Sequence, residues 1–132
     1  MKLSPNPRPF HLSLGDRGET VACDFLRKEG YEIVQKNYKC KLGEIDVVAK
    51  RRGRIAFVEI KTRTSVQFGS PQEAVNFKKQ EKLAKLAEWY LKEKKITNSP
   101  IAFDVVAVHW EDGKRPLVRL IKDAFEKDDK EY

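Results

Sequence analysis

Apolar residues along this chain recur with two different periods, and the changes of period mark its elements. Val21, Ala22, Phe25 and Leu26 follow helical spacing, which predicts a helix from about Asp16 to Lys28 with Gly30 as its C-terminal cap. Tyr31 to Tyr38 alternates loosely and reads as a strand. Glu44 to Lys50 and Arg54 to Arg63 are clearer strands, joined by a turn at Arg52-Gly53. Ser70-Pro71-Gln72-Glu73 has the pattern of a capping box with proline at the first helical position, so a short helical turn is expected at 71–75. Leu83, Leu86, Ala87, Tyr90 and Leu91 then predict the main second helix, from about 77 to 94, with Asn76 as a fresh N-cap. Asn98-Ser99-Pro100 breaks the chain before a strand from Ile101 to Trp110, and Asp112-Gly113 turns it toward an edge strand at Leu117 to Ile121.

The order is α-β-β-β-α-β with one more strand at the end. Strands cluster in the middle and a helix stands on either side of that block, so the natural layer solution is a mixed α/β sheet of four to five strands flanked by helices. A length of 132 residues suits one domain. The expected division is an N-terminal arm at 1–14, a single domain at 15–121 and a charged tail at 122–132. No internal repeat is visible.

Charged residues interrupt this pattern where a core would exclude them. Glu44 and Asp46 lie in one central strand, Glu59 and Lys61 in the next, directly after the apolar run Ile55-Ala56-Phe57-Val58. With a two-residue loop at Arg52-Gly53, Arg51 pairs with Arg54, which places Asp46 opposite Glu59 and Glu44 opposite Lys61. Directly opposed Cβ atoms stand about 4.5–5.5 Å apart. Two carboxylates so close repel each other, and a hard divalent cation such as Mg²⁺ or Mn²⁺ would relieve that repulsion. Lys61 would then orient a water or stabilise charge on a transition state. The plain alternative is a set of surface ion pairs on a half-exposed sheet.

Charge adds a direction. The net charge is +7, with six Lys/Arg against one Glu in residues 50–63 and seven Lys against three Glu in residues 76–95. The tail from Lys122 is acidic, with three Lys against five Asp/Glu. A basic surface of this kind suits a polyanion, because each neutralised phosphate releases counterions. Arg51, Arg52, Arg54 and Arg63 are candidate backbone contacts near the carboxylates, which would position a nucleic acid without reading its sequence. Cys23 and Cys40 have no metal-ligand spacing and are expected to be reduced in a cytoplasmic protein. No stretch approaches a transmembrane helix, and the N-terminus lacks the apolar run of a signal peptide, so no membrane partner is expected.

Helix positions contribute two further candidates. Glu19 shares the stripe of Ala22 and Leu26, either for function or as a first-turn acid favoured by the helix dipole. Lys79 lies on the buried side of the second helix with Gln80 at the margin, where Lys79 either snorkels or serves a site. His11 and His109 are isolated, Gly43, Gly53 and Gly69 form no phosphate loop, and Trp89 and Trp110 read as core or stacking residues.

Asp46, twelve residues, then Glu59-x-Lys61 resembles the PD-(D/E)xK nuclease signature, and the element order resembles that superfamily's restriction-endonuclease-like core. More closely, GDRGETVACDFLRKEGY, NYKCKLGEIDVVA, FVEIKTR, FGSPQEAV, the Lys79-Gln80 pair and FDVVAV resemble the YraN-like family of small bacterial proteins, over most of residues 15–108. The resemblance implies a metal-dependent phosphodiesterase similar to archaeal Holliday-junction resolvases. On that likeness Asp46 and Glu59 bind Mg²⁺ or Mn²⁺ with the Ile60 carbonyl, Lys61 assists the water, and Glu19 holds a second metal or a water. Lys79 and Gln80 join the four arginines as candidate nucleic-acid contacts. The signature's proline is replaced by Ile45.

The expectation is therefore a nucleic-acid-binding, metal-dependent endonuclease acting on structured or branched DNA, with a homodimer suited to cutting two strands. The alternative is a non-catalytic nucleic-acid-binding or assembly module that keeps the fold. A third reading is a protein-interaction domain whose basic surface meets an acidic partner.

Overall fold

The computed structural model describes residues 13–64, 76–111 and 113–125; the helical turn expected at 71–75 lies outside them. The elements run α1 (Leu14–Lys28), β1 (Glu32–Cys40), β2 (Gly43–Arg51), β3 (Arg54–Arg63), α2 (Phe77–Glu93), β4 (Ile101–His109) and β5 (Leu117–Ile121). One mixed sheet has the spatial order β1-β2-β3-β4-β5. All neighbours are antiparallel except β3 and β4, which α2 connects in parallel. A parallel pair needs such a crossover.

Local chemistry explains the boundaries. Ser13 caps α1 by accepting the Asp16 N–H at 3.0 Å. The helix ends in a Schellman turn, in which Gly30 at φ 95° donates to Arg27 O and Tyr31 donates to Leu26 O. Asn76 caps α2 through the Lys79 N–H at 2.9 Å. The same turn closes α2, with Lys95 at φ 58° in the position glycine usually takes. Arg52 (φ 51°) and Gly53 (φ 78°) form the tight β2–β3 turn, whose two positive φ values match the twist of a two-residue hairpin.

The sheet buries both faces. Ile55, Phe57, Val48, Phe103 and Val105 pack with Leu83, Leu86, Ala87 and Tyr90 of α2. Ala56, Val58, Val47, Val106 and Val108 pack with Ala22, Cys23 and Leu26 of α1. Central strands covered on both sides read as continuous apolar runs, as β3 does from Ile55 to Val58. Ordered packing continues past β5: Ala124 donates to Phe103 O at 2.7 Å and Phe125 stacks on the Phe103 ring at 4.8 Å. Both cysteines are free thiols, Cys23 buried and Cys40 half-buried. Among the described residues no helix is long and apolar enough to cross a membrane.

Helix α1 approaches β3 at Gly18. A Cβ there would stand 2.0 Å from Thr62 Oγ1 and 3.0 Å from Thr62 Cβ. Gly18→Ala should therefore destabilise the fold by about 1–3 kcal/mol in urea unfolding, despite the better helix propensity of alanine. Thr62→Ala in the same chain should recover part of that loss, because it removes the hydroxyl that collides.

Candidate functional site

The β2–β3 ladder has the register that a two-residue loop imposes, from Arg51–Arg54 through Val47–Val58, and then it stops. At the next position the Asp46 carboxylate, not a backbone carbonyl, accepts the Ile60 N–H, with Oδ2 at 2.8 Å. Side-chain alternation also changes here. Val47 and Ala49 belong to the core under α1, whereas Ile45 packs under α2. On β1, Asn37 lies between the Lys36–Val47 and Tyr38–Ile45 pairs and takes the left-handed conformation, φ 54°. Asparagine tolerates that conformation better than most residues. The outer strands thus roll away from β3 at Asp46.

Glu59 sits on the side of β3 that faces α2, with only 6% of its surface exposed. Two ammonium groups hold it: Lys61 Nζ at 3.3 Å and Lys79 Nζ at 3.0 Å from the same Oε2. Lys79 reaches it from the first turn of α2, which the Asn76 cap fixes in place. Asp46 has no such ion pair among the described contacts. Burial, then the charge of Glu59, pushes its carboxyl up to about 6, with exposed Glu44 adding to the rise. The Ile60 N–H and the charge of Lys79 pull the other way. The charge of Glu59 thus acts on Asp46, although the ladder ends before the two residues would pair directly. Lys61 bridges along its own strand to Glu59, so the expected Glu44–Lys61 opposition is not the ion pair that forms.

Other candidates fall elsewhere. Glu19 is half-buried on α1 and accepts from the Asn37 amide at 3.3 Å, so its route to the carboxylates runs through the residue beside Asp46 in the β1–β2 pair. Gln80 is half-buried next to Lys79. Arg63 ends β3, four residues beyond Glu59, and its backbone carbonyl accepts the Trp110 N–H at 2.8 Å. Arg51, Arg52 and Arg54 are not beside the carboxylates. They occupy the opposite end of β3, and five residues from Arg54 to Glu59 span about 16 Å. Arg51 donates to Glu29 O and lies over the Tyr31 ring, and Arg54 pairs with Asp123 at 2.9 Å. Sequence reasoning missed Asn37 altogether and assigned Lys79 to nucleic acid, although its principal partner is Glu59.

Among the described residues no group of three or more His, Cys, Asp or Glu side chains is arranged to hold a metal. The donor set is instead two carboxylates, Asp46 and Glu59, with the Ile60 backbone beside them. All-oxygen donors, one of them carrying uncompensated repulsion, fit a hard divalent cation.

Raising the Asp46 carboxyl from its ordinary 3.8 to about 6 makes native Asp46 hold its proton more tightly than the unfolded chain does. Its contribution to stability is full below pH about 4, falls as pH rises through about 6, and stays lost above that; the loss is on the order of 2–3 kcal/mol. Asp46→Asn retains an oxygen to accept the Ile60 N–H and removes the titration. It should stabilise the protein by about 2 kcal/mol at pH 8 and by almost nothing at pH 4, measured by denaturant unfolding at both pH values.

The model of the Uncharacterised protein family UPF0102 matches residues 18–108, a span that contains Glu19, Asp46, Glu59, Lys61 and Lys79. A UPF0102 protein of Caldicellulosiruptor saccharolyticus is 46% identical over 113 residues, covering 85% of this chain and 96% of that protein. One from Caldicellulosiruptor bescii is 48% identical over 115 residues, again covering 85% and 96%. A third, from Caldanaerobacter subterraneus, is 44% identical over 108 residues, covering 82% and 88%. The chain whose GEIDVV and FVEIKTR segments build this carboxylate pair belongs to the UPF0102 family.

Proposed function

We propose that this protein is a metal-dependent endonuclease with a restriction-endonuclease-like core, acting on structured or branched DNA. The observation that carries the reading is that Asp46, bonded to the N–H of Ile60 at 2.8 Å where β2 leaves β3, sits under the charge of neighbouring Glu59, with Lys61 held 3.3 Å from Glu59. A core built for stability alone would not bury one carboxylate at the end of an apolar run and set a second beside it. Asp46, Glu59 and the Ile60 carbonyl would hold Mg²⁺ or Mn²⁺. When bound, the cation would supply Lewis acidity toward a phosphoryl oxygen and acidify a water.

The chain's own groups account for the rest. Glu59 fixes the Lys61 ammonium, which is then placed to donate a hydrogen bond to an attacking water or to a phosphoryl oxygen that gains charge. Lys79 balances Glu59 in the resting protein and is the second cation available to a phosphate. Glu19 acts through Asn37, the residue beside Asp46 in the β1–β2 pair. Duplex backbones would be gripped from the basic surface, and a homodimer would present two such sites to a junction.

One observation favours the non-cleaving, nucleic-acid-binding reading: both lysines already neutralise Glu59, as a purely structural ion-pair cluster would. Calorimetry with Mg²⁺ and Mn²⁺ on the wild type and Asp46→Ala separates the two. Saturable binding lost in the variant, together with cutting of a branched DNA that falls on the order of 10²-fold or more in Lys61→Ala and Glu59→Ala, is the expected result. DNA binding with neither metal binding nor cutting would establish the non-catalytic module instead.

A further inference from the structure

A second built site lies at the other end of β3, on the side of the sheet that α1 covers. Between the β2–β3 turn and the segment following β5 is a pocket of about 160 Å³. Its walls include Tyr31, Arg51, Arg52, Arg54, Asp104 and Lys122. We propose that this pocket binds a phosphate group.

Two of its cations are fixed before any ligand arrives. Arg51 donates through Nε to Glu29 O at 3.0 Å, and its guanidinium lies 5.5 Å from the centre of the Tyr31 ring. Arg54 donates through Nη2 to Ile101 O and to Asp123 Oδ1. A guanidinium carries five N–H donors in a planar fork, so these contacts leave further donors on both arginines for phosphate oxygens. Holding each fork in advance lowers the side-chain entropy that binding would otherwise lose. Arg52 and Lys122 are exposed, and they add cations that can adjust to the ligand.

The buried acid does not spoil an anion site. Asp104 is 4% exposed, and both of its oxygens are already engaged: Oδ2 accepts the Tyr31 hydroxyl at 3.0 Å and Oδ1 accepts the Asp123 N–H at 2.8 Å. It ties β4 to Tyr31, just ahead of β1, and to the chain after β5, and so sets the pocket's shape. Asp123 is matched by Arg54 at 2.9 Å. Four cationic residues against two acidic ones leave the lining at +2 when every group is charged. Arg54 in this pocket stands about 16 Å along β3 from Glu59, and the pocket lies on the opposite face of the sheet, so it does not extend the carboxylate site.

The phosphate can come from a nucleic-acid backbone diester or from a terminal phosphate monoester. The test begins with inorganic phosphate titrated calorimetrically into the full chain at low ionic strength in a non-phosphate buffer. Saturable binding is expected, weakened at least tenfold in the double variant Arg52→Asn/Lys122→Ala. Asparagine tolerates the left-handed conformation at position 52, and both side chains are exposed, so the variant should fold normally. Lys85→Ala, on the exposed side of α2 and away from the pocket, should leave the affinity unchanged. Absence of saturable binding, or equal affinity in the double variant, would overturn the proposal. A short single strand with a 5′-phosphate, compared with the same strand ending in a 5′-hydroxyl, then identifies the source. Preference for the phosphorylated strand supports a monoester site, and equal binding that the double variant abolishes supports a backbone site.

Discussion

The Asp46 carboxylate accepts the Ile60 N–H where the β2–β3 ladder ends, and the geometry of the candidate site follows from that bond. A strand N–H deprived of its ladder partner must find another acceptor, because leaving it buried and unpaired costs on the order of 1–3 kcal/mol. Asp46 supplies the acceptor and is thereby held at the mouth of the split, within reach of the charge on Glu59. Asn37 lets β1 follow β2 through the same roll, and its amide ties the bend to Glu19 on α1. Gly18 lets that helix sit directly against Thr62, two residues from Ile60.

Compensation around the two carboxylates is unequal. Glu59 is the more deeply buried and has two ammonium groups on one oxygen. Asp46 has a single backbone hydrogen bond as its nearest support, and burial together with Glu59 drives its proton affinity up. Buried ion pairs are at best a weak source of stability, and an unbalanced buried carboxylate is a cost. The cluster therefore sits on a sheet whose apolar faces supply the stability the cluster itself does not.

Much of this was legible in the chain. Arg52-Gly53 is a short turn with a strong preference, it sets the β2–β3 register, and the register brings Asp46 toward Glu59. The α2 stripe and its Asn76 cap were equally plain, because helix periodicity and capping are local. What escaped the sequence depends on where pairing stops. Opposing Glu44 to Lys61 assumes a ladder that continues past Asp46, and it does not. Grouping Arg51, Arg52 and Arg54 with Glu59 treats nearness along the chain as nearness in space, yet an extended strand separates residues faster than any other element. Likewise, the Phe125 stack on Phe103 has no periodic signal, since an isolated aromatic after a turn looks like the start of a tail.

The unequal compensation also bears on which group a cation would relieve. Glu59 is already balanced, so a divalent ion arriving there must compete with Lys61 and Lys79 for the same carboxylate. At Asp46 it would cancel the repulsion that raises the carboxyl's proton affinity, and metal and proton become alternatives at that oxygen pair. On the proposed reading Asp46 is the group that gains most from metal, whereas Glu59 serves both the metal and the placement of Lys61. Binding would then release Lys79 in part from Glu59, and an ammonium group already fixed by α2 would become available to the phosphate that enters. On the proposed reading the resting ion pairs and a working site would be two uses of the same four side chains, Asp46, Glu59, Lys61 and Lys79.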